Sequence, residues 1–239
     1  MGQLSLFGNT VKEYNYTKRL SKSKLNCFIN CPKQFQLMND NPKEGIPGPA
    51  LIKGIKVHDM FDKLYDYKKQ YNSKEEIIKK LMEIEPNEYH DYKEKFAEWQ
   101  KEMNFPKIEN TEEKIYDKED DIVIKYDRLD FDGKTRIMWD YKTGKLKTAL
   151  DHEFELILYA YYYMKKTRDR IHYVGIYFAD HGKADIIKVT DERIQRVLCD
   201  IHNYISEIKD CENSNCFPAR KTWKCRFCSW NHLCEVYNK

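Results

Sequence analysis

The hydrophobic period of the chain changes at Ile108, and this change most constrains the fold. Before it, apolar residues recur at every third or fourth position and predict helices over 51–71, 74–85 and 88–104. After it the period is two, which predicts strands over 112–117, 121–130 and 134–142. The next predicted elements are a helix over 150–166, a hairpin formed by 171–179 and 184–189, and an amphipathic helix over 190–208. Strands set between helices in this way predict an α/β domain.

Residues 126–145 carry the first chemical signal, because they are predicted to form a hairpin that turns at Asp132-Gly133. Asp127 is predicted in its first strand, and Asp140 and Lys142 lie at the end of its second. Alternate residues of a strand leave on the same face, so Asp140 and Lys142 share one. Carboxylate oxygens suit a hard divalent cation, and a lysine beside them can orient a water or stabilise charge on a phosphate. The hairpin has the outline of a metal-dependent phosphodiesterase, with solvated surface charges as the alternative.

Composition places the chain among globular proteins. Its 239 residues suit one large domain, and 41% hydrophobic residues supply a sizeable core. A net charge of +3 does not by itself indicate a nucleic-acid binder. The 18 tyrosines are interleaved with lysines, a combination that suits the binding of single-stranded nucleic acid and equally an ordinary solvated surface. No apolar run approaches the roughly 20 residues of a membrane span, and the N-terminus lacks the pattern of a signal peptide. We therefore expect a cytoplasmic protein without a membrane partner.

Eight cysteines in a cytoplasmic protein need a reason other than disulfide bonds. Cys225 and Cys228 form a C-x2-C knuckle, and Cys234 follows after five intervening residues. Such a knuckle brings two thiolates onto one metal. A fourth ligand must come from elsewhere: Cys216, His232 or a distant cysteine for zinc, or Cys31 for an iron–sulfur cluster with four thiolates. Cys31 precedes Pro32, where two short helices within 21–38 are predicted to meet.

Two helices carry polar residues that could face a site. His58 lies on the apolar stripe of the helix over 51–71, beside Phe61 and Leu64, where a lone histidine is more often part of the core than a ligand. Glu155 and Tyr159 are four residues apart on the helix over 150–166 and share a face.

The first twenty residues are predicted to form a flexible polar tail with one apolar exception. Gln3-Leu4-Ser5-Leu6-Phe7 resembles the peptide by which bacterial proteins bind the sliding clamp. In such peptides the glutamine bonds at the rim of a pocket that the leucines and phenylalanine fill, which here implies Gln3, Leu4, Leu6 and Phe7. The alternative is that these side chains pack back on the domain.

Six segments of the chain follow one another in the order of a known family. They are the Ser-to-Cys-Pro segment at 23–35, Gly-Ile-Lys-Val-His at 54–58, Asp-Arg-Leu-Asp at 127–130, Asp-Tyr-Lys-Thr-Gly-Lys at 140–145, Glu-Leu-Ile-Leu-Tyr at 155–159 and the cysteines within 225–234. Together they resemble the PD-(D/E)XK nucleases of the RecB type, in the iron–sulfur branch that includes the AddB nuclease domain and the CRISPR-associated exonuclease Cas-four. Two positions depart from the family pattern: Ile124 replaces its glycine and Glu155 its glutamine.

The resemblance implies a restriction-endonuclease-like α/β fold, with a central mixed β-sheet flanked by helices. It implies one nuclease domain over 21–239. Its parts would be a mostly helical insertion at 51–105, a catalytic sheet core at 108–190 and a cluster segment at 216–239 that pairs with Cys31.

The resemblance also implies roles for single residues. The catalytic set would be Lys142, Asp127, Asp140, Glu155 and Tyr159. Mg²⁺ or Mn²⁺ would be held by His58, Asp127, Asp140 and the carbonyl of Tyr141. A 4Fe-4S cluster would be held by Cys31, Cys225, Cys228 and Cys234.

The implied activity is that of a metal-dependent deoxyribonuclease, an exonuclease acting on single-stranded DNA or DNA ends. Its setting would be replication, recombination or CRISPR-type processing in a bacterium or its phage, with recombination or CRISPR-adaptation proteins as partners. Two alternatives stay open at this point: a catalytically weak DNA-binding module tethered to a sliding clamp, and a zinc-stabilised interaction domain.

Overall fold

The computed structural model describes residues 16–64, 71–84 and 89–238. The predicted clamp-binding peptide at residues 3–7 lies outside these ranges. The helices of the described part are α1 Lys22–Asn30, α2 Pro32–Asp40, α3 Pro49–Leu64, α4 Lys74–Ile84, α5 His90–Glu102, α6 Glu153–Thr167 and α7 Asp191–Ser214. Its strands are β1 Leu20–Ser21, β2 Ile108–Thr111, β3 Lys114–Asp117, β4 Ile122–Lys125, β5 Arg128–Phe131, β6 Arg136–Lys142, β7 Tyr173–Phe178 and β8 Lys183–Lys188.

A five-stranded mixed sheet forms the centre, in the order β2-β5-β6-β7-β8. Among the described strands of this sheet, β6 and β7 are the one parallel pair, and helix α6 makes the crossover between them, as a parallel pair requires. Strands β5 and β6 form the predicted hairpin. Its turn is held at Asp132, whose carboxylate accepts the backbone N–H groups of Lys134 and Thr135 at 2.8 and 2.7 Å. The predicted α/β fold with a mixed sheet between helices is confirmed.

The two faces of β6 belong to two different cores. Met138 packs with α6 and α7 in one core, whereas Trp139 and Tyr141 pack with α3 and α5 in the other. Asp140 and Lys142 alternate with Trp139 and Tyr141 and therefore leave on the α6 side. The sheet thus aims this pair toward Glu155 on α6.

The predicted strand over 121–130 is wrong as a single element. Strand β4 belongs to a separate three-stranded sheet, β1-β4-β3, and β5 belongs to the central sheet. Tyr126 and Asp127 form the link between them, so Asp127 is not within a strand. A period of two shows which face a residue takes but not which sheet its strand joins, and this is why the pattern missed the change.

The predicted strand over 112–117 is also shorter than expected. The chain forms β2 and then β3, with a break at Glu112, whose φ is 52°. Left-handed backbone of this kind cannot continue a strand. The helix predicted over 51–71 is described as α3 to Leu64. Near its beginning, Ile55 is 60% exposed, so the predicted apolar stripe does not start there.

A buried ion pair joins the central sheet to α5. Arg128 is fully buried and holds both oxygens of Asp130, at 2.6 Å from Nε and 3.0 Å from Nη2. It also donates to Gln100 of α5 at 2.9 Å, and Trp139 donates to Asp130 at 2.8 Å. These bonds leave both charges compensated within the core.

No helix in the described part of the chain is long and apolar enough to span a membrane. The division of the chain at 51–105, 108–190 and 216–239 stays a prediction.

Candidate active site

A cavity of about 820 Å³ opens where α1, α3, β4 and the end of β6 meet. Its walls contain most of the residues that the sequence singled out for catalysis and metal binding: His58, Asp127, Asp140, Tyr141, Lys142 and Tyr159. These residues lie far apart in the chain, and the sheet and the helices around it bring them together.

Lys142 lies between two carboxylates of this site. Its Nζ contacts Asp140 Oδ2 and lies 3.5 Å from Glu155 Oε1. Burial alone would lower the pKa of Lys142, but the charges of Asp140 and Glu155 outweigh it and raise that pKa well above the ordinary value. Lys142 is therefore a permanent cation near neutral pH, suited to donating hydrogen bonds and offsetting negative charge rather than to accepting a proton.

Glu155 is surrounded by Lys22, Lys142 and His152. Lys22 contacts Glu155 Oε2. His152 Nδ1 lies 2.6 Å from Glu155 Oε1, the oxygen that also lies near Lys142. Burial would raise the pKa of Glu155, but the hydrogen bond to His152 and the charges of Lys142 and Lys22 lower it strongly. The carboxylate therefore stays ionised, with both oxygens engaged by side chains of the protein. Tyr159 adjoins this group, with Lys22 Nζ at 6.0 Å from its ring centre.

His58 and Asp127 form the second part of the site. His58 Nδ1 lies 3.2 Å from Asp127 Oδ1, while Asp127 Oδ2 accepts the backbone N–H of Tyr141 at 2.5 Å. The His58 side chain is 30% exposed to the cavity, unlike the buried Phe61 and Leu64 on the same helix. Burial lowers the pKa of His58, but the hydrogen bond to Asp127 and the charges of Asp127 and Asp140 together outweigh burial and raise the pKa. The exposure of His58 to the cavity, beside Asp127, favours the role of a metal ligand over that of a core histidine.

Glu112 joins these two residues and was not predicted. Among the described residues, one group of three potential ligands has all its donor atoms within 4.8 Å of one another: His58, Glu112 and Asp127. Two carboxylates and an imidazole suit a divalent ion. The Glu112 backbone N–H donates to the carbonyl of Asp127 at 3.0 Å, and its carboxylate pairs with Lys125. Asp140 lies in the same cavity but outside this group, with its carboxylate on Lys142.

Asp180 fixes the loop that follows β6. Its carboxylate accepts from Lys53 of α3 at 2.6 Å, from the hydroxyl of Tyr92 on α5 and from the backbone N–H of Gly144. Next to it, His181 Nε2 lies 2.9 Å from the carbonyl of Gly144. This network connects two helices to the segment directly after Lys142.

The cysteines line a second cavity, of about 680 Å³. Its walls include all four predicted cluster ligands, namely Cys31, Cys225, Cys228 and Cys234, and also Cys27. The alternative fourth ligands Cys216 and His232 are not among the lining residues. Burial and, to a lesser extent, the charges of the neighbouring Cys228 and Cys31 raise the pKa of the Cys27 thiol to about 12. This thiol therefore stays protonated at neutral pH.

The segment after α7 returns to the start of the chain to close this cavity. The backbone N–H of Lys33 donates to the carbonyl of Pro218 at 3.3 Å, and that of Ile46 to the carbonyl of Ser229 at 2.9 Å. Trp230 lies against Gly45 so closely that a Cβ there would come within 2.5 Å of the indole ring. The cysteine cavity therefore joins the two ends of the described chain.

The fold and the cavities define an α/β domain with a cationic lysine and, in the same cavity, a group of side chains that could bind a divalent ion. Residues 19–235 match the PD-(D/E)XK nuclease superfamily, and the chain belongs to that superfamily. Membership implies a metal-dependent nuclease, with DNA as the suggested substrate. No curated protein matches the chain significantly.

Two solved structures are similar to the chain in fold. A protein of Eubacterium rectale that carries the provisional name of exonuclease is 12% identical, with a TM-score of 0.54 over 99% of this chain and 93% of its own. The protein SSO0001 is 12% identical, with a TM-score of 0.49 over 95% of this chain and 90% of its own. At this level of identity the likeness concerns the fold alone.

Proposed function

We propose that the protein is a metal-dependent DNA exonuclease of the RecB-like iron–sulfur branch, acting on single strands or DNA ends. One observation carries the proposal: a single cavity holds Asp127, Asp140 and Lys142 together with His58. The same arrangement argues against a module without catalysis, since nothing in a purely structural role requires these charges to converge.

The protein's own residues divide the work of hydrolysis. His58, Asp127, Asp140 and the Tyr141 carbonyl would hold Mg²⁺ or Mn²⁺, with Glu112 as a further ligand. Such an ion polarises the scissile phosphate and lowers the pKa of a bound water. The water gives up a proton to solvent and its oxygen forms the new P–O bond, while the bond from phosphorus to the sugar oxygen breaks and that oxygen takes up a proton from solvent. Lys142 offsets the negative charge that develops on the phosphate oxygens and orients the water.

Glu155 positions Lys142 in this proposal and does not bind the metal. Its oxygens are taken by Lys22 and His152, with Lys142 within 3.5 Å, and it lies outside the group of three close metal ligands. Lys22 offsets the charge that distinguishes Glu155 from the glutamine of the related nucleases. Tyr159 would line the path of the strand beside it.

The spacing of the cysteines supports a four-thiolate cluster over a single zinc ion. Two thiolates on one tetrahedral zinc lie about 3.8 Å apart, given Zn–S bonds of about 2.3 Å. The described cysteines do not form a group of three with all sulfurs within 4.8 Å of one another. A cluster binds each thiolate to a different iron and accepts wider spacing. We propose that Cys31, Cys225, Cys228 and Cys234 hold a 4Fe-4S cluster that clips the chain ends together.

The test is cleavage of end-labelled single- and double-stranded DNA with Mg²⁺ or Mn²⁺ by protein purified without oxygen. Lys142→Ala should lower the rate by about 10²- to 10³-fold or more, as loss of a key charge-stabilising donor does. The exposed neighbour Lys145 provides the control, since Lys145→Ala should keep the rate. Equal rates for wild type and Lys142→Ala would rule out the assignment.

Two further measurements address the cluster and the partners. The protein should absorb broadly near ~400 nm if it holds an iron–sulfur cluster, and a colourless zinc-containing protein would contradict this part of the proposal. Deleting residues 1–7 should abolish binding to a bacterial sliding clamp and leave DNA cleavage unchanged. Undiminished clamp binding would refute the tether.

A further inference from the structure

A short segment after α7 combines basic and aromatic side chains on the surface. Residues 220–227, hereafter the basic aromatic segment, contain Arg220, Lys221, Trp223, Lys224, Arg226 and Phe227. The Trp223 side chain is 69% exposed and that of Phe227 is 66% exposed. The Arg226 guanidinium lies 5.9 Å from the Trp223 ring centre and 4.7 Å from that of Phe227.

The exposure of these two rings needs an explanation. Their centres are 6.1 Å apart in an edge-on arrangement, so they support one another without being buried. Large apolar side chains held in water at adjacent positions mark an interaction site. The cations around them select the partner: nucleic-acid bases stack on aromatic faces while lysine and arginine contact the backbone phosphates.

The basic aromatic segment lines a cavity that borders the active-site cavity. Trp223 and Phe227 line the cysteine cavity, and that cavity shares Ser23 and Leu51 with the active-site cavity. The surface between them is apolar as well, because Leu51 and Ile55 are more than half exposed on the first turns of α3. Unpaired bases could therefore follow an apolar path from the two rings to the catalytic residues.

We propose that the basic aromatic segment is a subsite for single-stranded DNA that leads into the active-site cavity. Bases stack on Trp223 and Phe227, and the exposed cations Lys221 and Arg226 hold the phosphates. Stacking requires unpaired bases, so the subsite selects single strands over duplexes. This inference rests on the proposed nuclease function for the direction of the strand, but binding can be measured without cleavage.

The experiment uses full-length protein carrying Lys142→Ala, so that labelled DNA survives the measurement. Fluorescence anisotropy with a labelled oligothymidylate and a blunt duplex gives the two affinities. Trp223→Ala or Phe227→Ala should weaken single-strand binding by roughly 5- to 150-fold, the range that follows from losing one stacked base. Duplex affinity should change far less. Tyr116, an exposed aromatic residue that lines neither cavity, provides the control, and Tyr116→Ala should bind normally.

Each other outcome has a defined meaning. Unchanged single-strand affinity, or an equal loss for both DNAs, overturns the subsite. If Trp223→Ala or Phe227→Ala lowers the visible absorbance but not the affinity for single-stranded DNA, the subsite is also overturned. The rings would then shield the cysteine cavity from water. A protein that cleaves DNA while both variants bind normally refutes the subsite alone. A protein that binds single strands through Trp223 and Phe227 but never cleaves them supports the subsite and refutes the proposed activity.

Discussion

The contact between Lys22 and Glu155 can be tested by a double-mutant cycle. Lys22→Met and Glu155→Gln each remove one charge and keep much of the side-chain volume, and the double variant removes both. Glu155→Gln leaves two neighbouring lysines without their shared carboxylate, whereas Lys22→Met leaves Glu155 with His152 and Lys142. We therefore expect Glu155→Gln to be the more damaging single change.

The magnitude follows from the burial of the pair. The Lys22 side chain is 18% exposed and that of Glu155 is 6% exposed. Two unit charges in contact attract by about 4 kcal/mol at an effective dielectric constant near 20. Desolvation of both groups offsets a large part of this attraction. We expect the free energy of unfolding to fall by about 2–3 kcal/mol for Glu155→Gln and by about 1 kcal/mol for Lys22→Met. The double variant should be about 1–2 kcal/mol more stable than the sum of the two single-variant losses predicts.

Urea unfolding at pH 7.5, followed by circular dichroism, measures the coupling. Lys24→Met provides a matched control on α1, since Lys24 bonds to the carbonyl of Lys18 and not to Glu155. Its cycle with Glu155→Gln should be additive to within about 0.5 kcal/mol. The double variant should still cleave DNA, because the Gln oxygen can accept a hydrogen bond from Lys142. If the effects of Lys22→Met and Glu155→Gln on the free energy of unfolding are also additive, the two charges do not compensate one another and the reasoning is wrong.

Three other perturbations follow from the structure. Glu112→Gln should weaken binding of Mg²⁺ or Mn²⁺ by about 10- to 100-fold in a calorimetric titration, since it replaces one of two charged carboxylates in the group by a neutral amide. Arg128→Met should lower the free energy of unfolding by about 3–5 kcal/mol, because Asp130 is left charged and buried. Burial would raise the pKa of Asp180, but its three hydrogen bonds lower it. The stabilising contribution of Asp180 is therefore present above the pKa of a free aspartate. It disappears as the pH falls through the lowered value. Asp180→Asn should therefore melt at a lower temperature than wild type at pH 7, and this difference should shrink steadily as the pH falls from about 4 through the lowered pKa.

Controls and contrary outcomes are available for each of these. Glu119 is 82% exposed, and Glu119→Gln should bind metal normally; an equal loss in both variants would remove Glu112 from the site. Arg170 is about half exposed, and Arg170→Met should change stability by less than about 0.5 kcal/mol. A wild-type stability for Arg128→Met would contradict the role of the buried pair. A stability difference for Asp180→Asn that stays constant as the pH falls below about 4 would show that the effect is not electrostatic.

Local features of the chain were readable without the tertiary structure. The hairpin of β5 and β6 depends on Asp132 and Gly133, which lie within a few residues of the strands they connect. The break between α1 and α2 follows from Pro32, which begins a helix readily. The alternation along β6 placed Asp140 and Lys142 on one face. These features were predictable because their causes lie within one or two turns of the chain.

Other features depend on contacts between distant segments, and only the tertiary structure decided them. Glu112 gave no signal in the sequence, since a left-handed break between two strands is what brings it to His58. Lys22 is one of many lysines until α1 packs on α6 and places it on Glu155. The change of sheet at Asp127 was hidden because both sheets impose the same period of two. The sequence by itself determined which residues could do the chemistry and which local elements carry them. The packing of those elements decided which charges meet, because electrostatic contacts act over a few ångströms in space regardless of their separation along the chain.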